Sequence, residues 1–168
     1  MTSEKGTDFS ASVEMTNWVQ QMTPRFDELK IVLGHDAKMP ERAYPTDAGL
    51  DLFSAHAGTI PPLGSFVFDT GIHMAIPAGW VGLLTSKSGL MREKEITSAG
   101  TIDADYRGSI RAVLFNHSKY PVRIEKWQKI TQIVFLPIST PKLKTVTINE
   151  LDETERGDKG FGSTGSGV

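Results

Sequence analysis

The residues best suited to chemistry in this sequence lie between Gly100 and Gly108. The stretch reads Gly-Thr-Ile-Asp-Ala-Asp-Tyr-Arg-Gly, so two acids, an aromatic ring and a guanidinium stand between two glycines. A polar run precedes it and the apolar run 110–115 follows, which predicts the tip of a β-hairpin held open for a ligand. One carboxylate could hold a water molecule, the ring could stack on a flat group, and Arg107 could fix the turn. The alternative interpretation is a solvated turn with a structural Asp–Arg pair.

Four further stretches combine polar side chains with turn residues. They are Thr-Asp-Ala-Gly-Leu-Asp-Leu at 46–52, Thr-Ser-Lys-Ser-Gly-Leu at 85–90, Gln-Lys-Ile-Thr-Gln at 128–132 and Arg-Gly-Asp-Lys-Gly-Phe-Gly-Ser-Thr-Gly at 156–165. The hydroxyls, ammonium and glycine of the second stretch suit a phosphate group, because backbone N–H groups can converge there. Simpler interpretations stay open: a common loop for Ser-Lys-Ser-Gly, a structural acid for Asp51 and an outward-facing Gln132.

The elements that must position these residues are short apolar runs separated by Gly and Pro. This spacing is typical of an all-β sandwich or barrel. Only Ser88 to Lys94 is predicted as a helix within the body. The predicted strands are 29–33, 50–53, 66–68, 72–76, 80–84, 110–115, 122–124, 130–138 and 143–148.

Both ends of the chain differ from this body. Residues 1–25 are polar, but Met15, Trp18, Val19 and Met22 share the spacing of one helical face. The segment is interpreted as either a short docking helix or a flexible extension. Residues 153–168 are Gly-rich with a single aromatic, which predicts a disordered terminus or an arm that closes over a ligand.

Composition excludes several classes of function. The chain has 168 residues, 39% hydrophobic and 23% charged, with a net charge of −2. Broad nucleic-acid binding usually needs a basic surface, and no apolar stretch approaches the roughly 20 residues of a membrane span. The absence of cysteine excludes disulfides and thiolate metal sites, and the four histidines lack ligand spacing. No signal peptide is visible, so the sequence predicts a cytoplasmic protein that binds neither nucleic acid nor membrane.

Taken together and in this order, the five stretches resemble the five motifs of the trimeric dUTPase family over about residues 27–165. The resemblance implies a distorted β jelly roll, or β-clip barrel, with a flexible C-terminal arm. It implies an N-terminal extension at 1–25, a core at 26–152 and an arm at 153–168. It also implies a homotrimer with three sites shared between subunits, hydrolysing dUTP to dUMP and pyrophosphate with Mg²⁺ as cofactor.

The resemblance assigns roles residue by residue. Asp103 is the general base, because an aspartate is normally ionised at neutral pH and can accept a proton from water. Asp51 contacts Mg²⁺ through water, while the triphosphate holds most of the ion. Arg156 is placed with the catalytic groups and reaches the γ-phosphate. The implied substrate-binding residues are Lys87, Ser88, Gly89, Thr97, Gly100, Thr101, Ile102, Tyr106, Arg111, Gln132, Phe161, Gly162, Ser163 and Thr164.

Three departures from the family pattern stand beside this match. Lys87 replaces the usual Arg, Trp127-Gln128-Lys129 replaces Gly-acid-Arg, and Lys159 stands where Gly is commonest. A regulatory protein that binds partner proteins in a nucleotide-dependent way is the alternative function. A dCTP deaminase, which shares the fold, needs a Glu in the strand after the hairpin, and the matching residue here is Val113.

Overall fold

The computed structural model describes residues 26–159. The helix predicted around Met15 to Met22 and the tail from residue 160 onward lie outside the described residues. No helix within 26–159 is long and apolar enough to cross a lipid bilayer.

The described chain is built almost entirely of β-strands, which confirms the all-β prediction. The one α-helix, α1, spans Ser88–Lys94 as predicted, and a short 3-10 helix spans Ile148–Glu150. The strands are β1 (Ile31–Leu33), β2 (Leu50–Phe53), β3 (Gly58–Ile60), β4 (Ser65–Asp69), β5 (Ile72–Met74), β6 (Trp80–Ser86), β7 (Ile96–Ile102), β8 (Arg111–Asn116), β9 (Val122–Ile124) and β10 (Lys129–Pro137).

A six-stranded sheet in the order β2-β10-β6-β7-β8-β4 forms most of the body. Two smaller sheets, β1-β5 and β3-β9, accompany it, and every strand pair is antiparallel. The order is largely non-sequential, because β2 and β10 are neighbours while β4 closes the opposite edge. The curled antiparallel arrangement is a jelly roll, as the resemblance implied.

Alternation of side chains along the strands buries two hydrophobic clusters. In β8, Ala112 and Leu114 are buried while Arg111 and Phe115 face outward, the period of two expected for a half-buried strand. Burial of a Leu such as Leu114 contributes about 1.5–3 kcal/mol. These clusters make the sheet a rigid support for the loops at its ends.

Three differences separate the predicted strands from the observed ones. Strand β7 (Ile96–Ile102) was not among the predicted strands, because its middle residues are mostly small and polar and do not form an apolar run. The run 143–148 is wrong as a strand, since it has no strand partner in the described chain and Leu143 is 97% exposed. An apolar run forms a strand only where another strand accepts its hydrogen bonds. Strand β3 was missed, because Gly58-Thr59-Ile60 is too short to show an alternating pattern.

Candidate functional site

The predicted hairpin is present, and its tip is open. Strands β7 and β8 pair with each other only as far as Ala99 and Val113. Beyond that pair, Gly100–Ile102 stay hydrogen-bonded to β6, while the start of β8 at Arg111 stays on β4. The two limbs therefore follow different neighbours and diverge, which leaves a gap between them.

Arg107 fixes the turn at the end of this hairpin. Its guanidinium donates hydrogen bonds to the backbone oxygens of Ala104 (2.7 Å) and Tyr106 (2.9 Å), so it holds carbonyls rather than a carboxylate. The ring Nδ1 of His73 lies 2.8 Å from the Arg107 carbonyl oxygen. The Asp103 side chain is exposed at this turn, and its backbone oxygen accepts a bond from the Tyr106 N–H at 3.2 Å. The turn thus presents a carboxylate to solvent on a well-bonded backbone.

Tyr106 lies against Gly108, and the two residues determine each other's position. A Cβ added at Gly108 would lie 2.5 Å from Cζ of Tyr106, so only glycine leaves room for the ring. The Tyr106 hydroxyl donates to the Ser109 carbonyl oxygen at 3.0 Å. With the hydroxyl engaged and the ring still partly exposed, Tyr106 offers a flat face at the gap.

A second cluster forms where three of the other stretches meet. In the sheet register, Gln132 on β10 lies between Asp51 on β2 and Thr85 on β6. Together with Lys87, which follows β6, these strands line a cavity of about 240 Å³. The Gln132 side chain lies over Gly49, where a Cβ would be 2.5 Å from its Oε1. The structure therefore brings together Gly49, Asp51, Lys87 and Gln132.

Asp51 carries a buried and paired negative charge in this cluster. It is 5% exposed, and its carboxylate oxygens lie 2.8 Å from Nζ of Lys87 and 2.9 Å from Nζ of Lys129. Burial raises the pKa of Asp51, but hydrogen bonds from the two lysines more than offset this and hold the pKa below its ordinary value. Lys129 also pairs with Glu41 at 3.3 Å.

Lys129 is a residue that the sequence prediction did not place in the site. Its hydrogen bond to Asp51 raises the pKa of the Lys129 ammonium, so the pair is charged on both sides at neutral pH. The stretch 128–132 was singled out for its polarity, but only the β2–β10 pairing shows which acid Lys129 contacts. No signal in the sequence gives that pairing directly.

A network of hydroxyl groups supports the loop that carries Lys87. The Ser98 N–H donates to Oγ of Ser86 at 2.9 Å, and Oγ of Ser86 donates back to the Ser98 carbonyl at 3.0 Å. Buried Thr131 donates to the Thr85 carbonyl at 2.8 Å. These bonds fix the end of β6 and hence the direction in which Lys87 leaves it.

The start of α1 is open toward solvent. Lys87 is its N-cap residue, and no side chain of the described chain caps the first turn. A Cβ at Gly89 would meet nothing within 4 Å, so the backbone there is accessible. The first N–H groups of a helix have no partner within the helix, so those of Ser88 and Gly89 can bind an anion.

The remaining predicted site residues lie at different distances from the hairpin tip. Thr97 is at the opposite end of β7 from Asp103, and its hydroxyl lies 2.7 Å from Nε2 of His117. Arg111 is at the start of β8, opposite Asp69 and beside the gap. Arg156 is exposed in a turn, where its Nε donates to the Lys159 carbonyl at 3.1 Å. Phe161, Gly162, Ser163 and Thr164 lie outside the described residues.

The cavity beside Lys87 and Gln132 is called here the lysine-lined cavity. Within one chain, the hairpin tip and the lysine-lined cavity are too far apart to form one site. Asp103 directly follows Ile102, which pairs with Gly82 at one end of β6, and Lys87 follows the other end. At roughly 3.3 Å per residue, the two lie about 17 Å apart along the strand. The hairpin tip and this cavity therefore lie at opposite ends of the β6–β7 pair.

The described residues offer no cage of their own for a metal ion. No group of three or more His, Asp or Glu side chains converges within residues 26–159. Both oxygens of Asp51 face a lysine ammonium, which disfavours direct coordination, whereas an ionised carboxylate keeps further lone pairs for a bound water. This arrangement fits a magnesium ion that arrives on phosphate oxygens and meets Asp51 through water.

The fold places the chain among β-rich jelly-roll proteins, here with an open acidic turn and a separate cavity beside Lys87. The dUTPase family model matches residues 35–165, and the chain belongs to the dUTPase family.

Curated relatives and solved structures agree with this assignment. The deoxyuridine 5'-triphosphate nucleotidohydrolase of Candida albicans is 44% identical over 129 residues, covering 76% of this chain and 81% of the relative. That of Alkaliphilus metalliredigens is 41% identical over 132 residues, covering 77% and 90%. The Staphylococcus bacteriophage 80alpha dUTPase with dUPNHPP has a TM-score of 0.77 and 36% identity, covering 85% of this chain and all of that one.

Proposed function

We propose that this chain hydrolyses dUTP to dUMP and pyrophosphate by attack of water on the α-phosphorus, with Asp103 as general base. The observation that carries the proposal is the open hairpin tip, where an exposed carboxylate stands at the mouth of an unpaired gap. A water molecule bonded to Asp103 would lose its proton to the carboxylate as the bond to phosphorus forms. The names of the Candida albicans and Alkaliphilus metalliredigens relatives describe enzymes that act on the same triphosphate.

The gap between the two limbs supports recognition of uracil. Where β7 and β8 no longer pair, the backbone N–H and C=O groups of Gly100, Thr101 and Ile102 that face away from β6 have no ladder partner. Such fixed groups can bond the edge of uracil, and cytosine would leave them unpaired at a cost. A narrow gap also excludes the 5-methyl group of thymine by overlap.

Tyr106 and Arg111 complete the half-site at the tip. The Tyr106 ring would pack under the deoxyribose, where a 2′-hydroxyl would find neither space nor a hydrogen-bond partner. Arg111 lies beside the gap with its side chain exposed and adds positive charge near the nucleotide. The proposed role of Ile102 is limited to its backbone groups, since its side chain is buried.

The lysine-lined cavity supports binding of the triphosphate. Lys87 supplies a positive charge, Ser88 and Gly89 supply backbone N–H groups, and Gln132 approaches from the neighbouring strand. Lys87 acts as a point charge, whereas the family's usual Arg would give two parallel hydrogen bonds. Magnesium, held on the phosphates with Asp51 as its contact through water, supplies neutralisation of charge on the leaving pyrophosphate. A dUTPase structure from a Staphylococcus aureus phage is described as showing a structural Mg(II) ion.

The C-terminal arm is proposed to close the site. Arg156 and the tail residues Ser163 and Thr164 would reach the γ-phosphate, while Phe161 and Gly162 would cover the uracil ring. Closure of such an arm excludes bulk water during the chemical step. The exposed guanidinium of Arg156 is consistent with this role, because it forms no ion pair among the described residues.

A homotrimer is proposed because a single chain presents its half-sites about 17 Å apart. A neighbouring copy can supply the lysine-lined cavity that faces the hairpin tip. The segment after β10 favours the same conclusion, since Leu143 (97%), Ile148 (78%) and Leu151 (59%) are exposed in one stretch. An apolar run of this kind is stable where it packs against another subunit.

The test is a pyrophosphate-release assay with dUTP, dTTP, dCTP and UTP, each with and without Mg²⁺. We expect rapid release from dUTP alone. Asp103→Asn should lower kcat by about a hundredfold to ten-thousandfold while dUTP binding is kept. Asp105→Asn is the matched control, because it removes an exposed acid from the same turn and should keep most of the rate. A near-normal rate in the Asp103 variant would refute its assignment as the base.

Regulation of partner proteins is the second hypothesis, and it does not replace hydrolysis. The phage 80alpha structures are described in terms of control of virulence-gene transfer by those proteins. A pulldown with and without dUTP would detect a nucleotide-dependent partner of this chain. The proposed cytoplasmic location can be tested by imaging, which matters because a Dictyostelium discoideum relative is named as mitochondrial.

A further inference from the structure

Asp69 lies at the end of β4, next to the returning limb of the hairpin. Its Oδ1 accepts a hydrogen bond from the Ser109 hydroxyl and another from the Gly71 N–H at 2.8 Å. The Asp69 N–H donates to Nε2 of His56 at 3.3 Å. One oxygen of the carboxylate therefore accepts two hydrogen bonds, one of them from Ser109, while His56 holds the Asp69 backbone.

The Asp69 carboxylate is a charged acceptor at neutral pH. Burial raises the pKa of Asp69, but the bonds from Ser109 and Gly71 and the nearby charge of Arg111 outweigh burial and lower it. Hydrogen bonds to an ionised acceptor are roughly twice as strong as neutral ones. The link to Ser109 is therefore stronger than an ordinary surface contact.

Ser109 connects Asp69 to Tyr106 through two hydrogen bonds. Its carbonyl oxygen accepts the Tyr106 hydroxyl at 3.0 Å, so the same residue is held by Asp69 through its side chain and holds Tyr106 through its backbone. Buried bonds from Thr70 to Ile110 fix the chain one residue farther into the body. On this limb, Asp69 holds Ser109, and His73 of β5 holds the Arg107 carbonyl nearer the tip.

We propose that Asp69 and Ser109 are positioning residues that hold Tyr106 in place and thereby set the discrimination between deoxyribonucleotides and ribonucleotides. This inference rests on the proposed function, in which the Tyr106 ring packs under the sugar. Loss of the Asp69–Ser109 bond leaves the peptide that accepts the Tyr106 hydroxyl held only through the Ile110 N–H bond to Ile72, so the Tyr106 ring is less firmly held against the sugar. A 2′-hydroxyl is then accommodated, while the uracil gap and the cavity around Lys87 are unchanged.

The test is the ratio of kcat/KM for dUTP to that for UTP. Both values come from one sample, so the fraction of folded enzyme cancels from the ratio. An apolar pocket that rejects an added hydroxyl changes the ratio of kcat/KM values by about a hundredfold. We expect Ser109→Ala and Asp69→Ala each to lower the ratio about tenfold. Ser109→Thr keeps the hydroxyl and should restore the ratio. Ser65→Ala, at the far end of β4, is the matched control.

The ratio of the dissociation constants of imido analogues of dUTP and UTP measures the same discrimination without turnover, in case a variant is slow. An unchanged ratio in both Ser109→Ala and Asp69→Ala would overturn the inference while the proposed function stands. Failure of the unsubstituted protein to hydrolyse dUTP would overturn the proposed function, and this inference with it.

Discussion

Active sites shared between chains make a quantitative prediction for mixed assemblies. In each proposed site, Asp103 comes from one chain and Lys87 from another, because the two lie about 17 Å apart within a chain. A general base must lie within about 3 Å of the proton it accepts, directly or through one water. In the proposed site both residues act on the same triphosphate, so one chain cannot supply both residues to the same site.

Two inactive variants should therefore restore each other. Asp103→Asn keeps the lysine-lined cavity, and Lys87→Gln keeps the hairpin tip. Consider a random equal mixture of the two variants in closed rings. Each site then has a chance of one half of containing an intact tip and a chance of one half of containing an intact cavity. About one quarter of the sites are therefore complete. We expect co-expressed variants to regain about one quarter of the wild-type rate, while each variant alone stays nearly inactive.

Wild-type chains mixed equally with the double variant give the control. If the sites are shared between chains, about one quarter of all sites are again complete. If each site lies within one chain, about one half of all sites are complete. Co-expression at equal levels with the same affinity tag on both chains, followed by one purification, keeps the random mixture of assemblies, and pyrophosphate release gives the rate. No recovery in the first mixture, with one half retained in the second, would refute the shared site and the register argument behind it.

Three further predictions concern the two half-sites. Gly108→Ala should displace the Tyr106 ring, because the new methyl would lie 2.5 Å from Cζ, and steady-state assays should show lower kcat/KM for dUTP with little change in melting temperature. Gly49→Ala should push aside Gln132, whose Oε1 would be 2.5 Å away, and should raise KM for dUTP. The lowered pKa of Asp51 means that its ion pairs stabilise the fold above the ordinary value of 3.8 and lose this effect as pH falls below it. The melting temperature should therefore drop on acidification, and Lys129→Gln should reduce that drop.

The sequence predicted the strands well where turn residues bounded them. The runs 50–53 and 122–124 match β2 and β9 residue for residue, and α1 matches Ser88 to Lys94. The run 143–148 failed because apolar composition does not reveal whether a partner strand exists. A segment that packs against another subunit can have the same pattern of apolar residues as a strand in a sheet.

Within the candidate site, the sequence predicted which residues matter better than where they lie. Arg107 was expected to fix the turn, and its two bonds to backbone oxygens confirm this. The resemblance assigned Thr97 to the substrate site together with Gly100–Ile102, and the structure places it at the far end of β7 from Asp103. Lys129 and Asp69 were missed, since their partners come from strands distant in sequence.

The open tip follows from strand pairing rather than from the turn sequence alone. A two-stranded hairpin with the same tip could pair up to its last residues, but here β6 holds one limb and β4 holds the other. The buried pair of Ala112 and Phe68 anchors the β8 limb, and Ile102 opposite Gly82 anchors the β7 limb. In the proposed site, shape selection for a nucleobase is therefore a property of four strands, and a substitution that loosens β4 from β8 should widen specificity without touching the ligand. Asp69 belongs to the last ladder pair of β4 and β8, opposite Arg111, so the proposed influence of Asp69 on Tyr106 would act through this edge of the sheet.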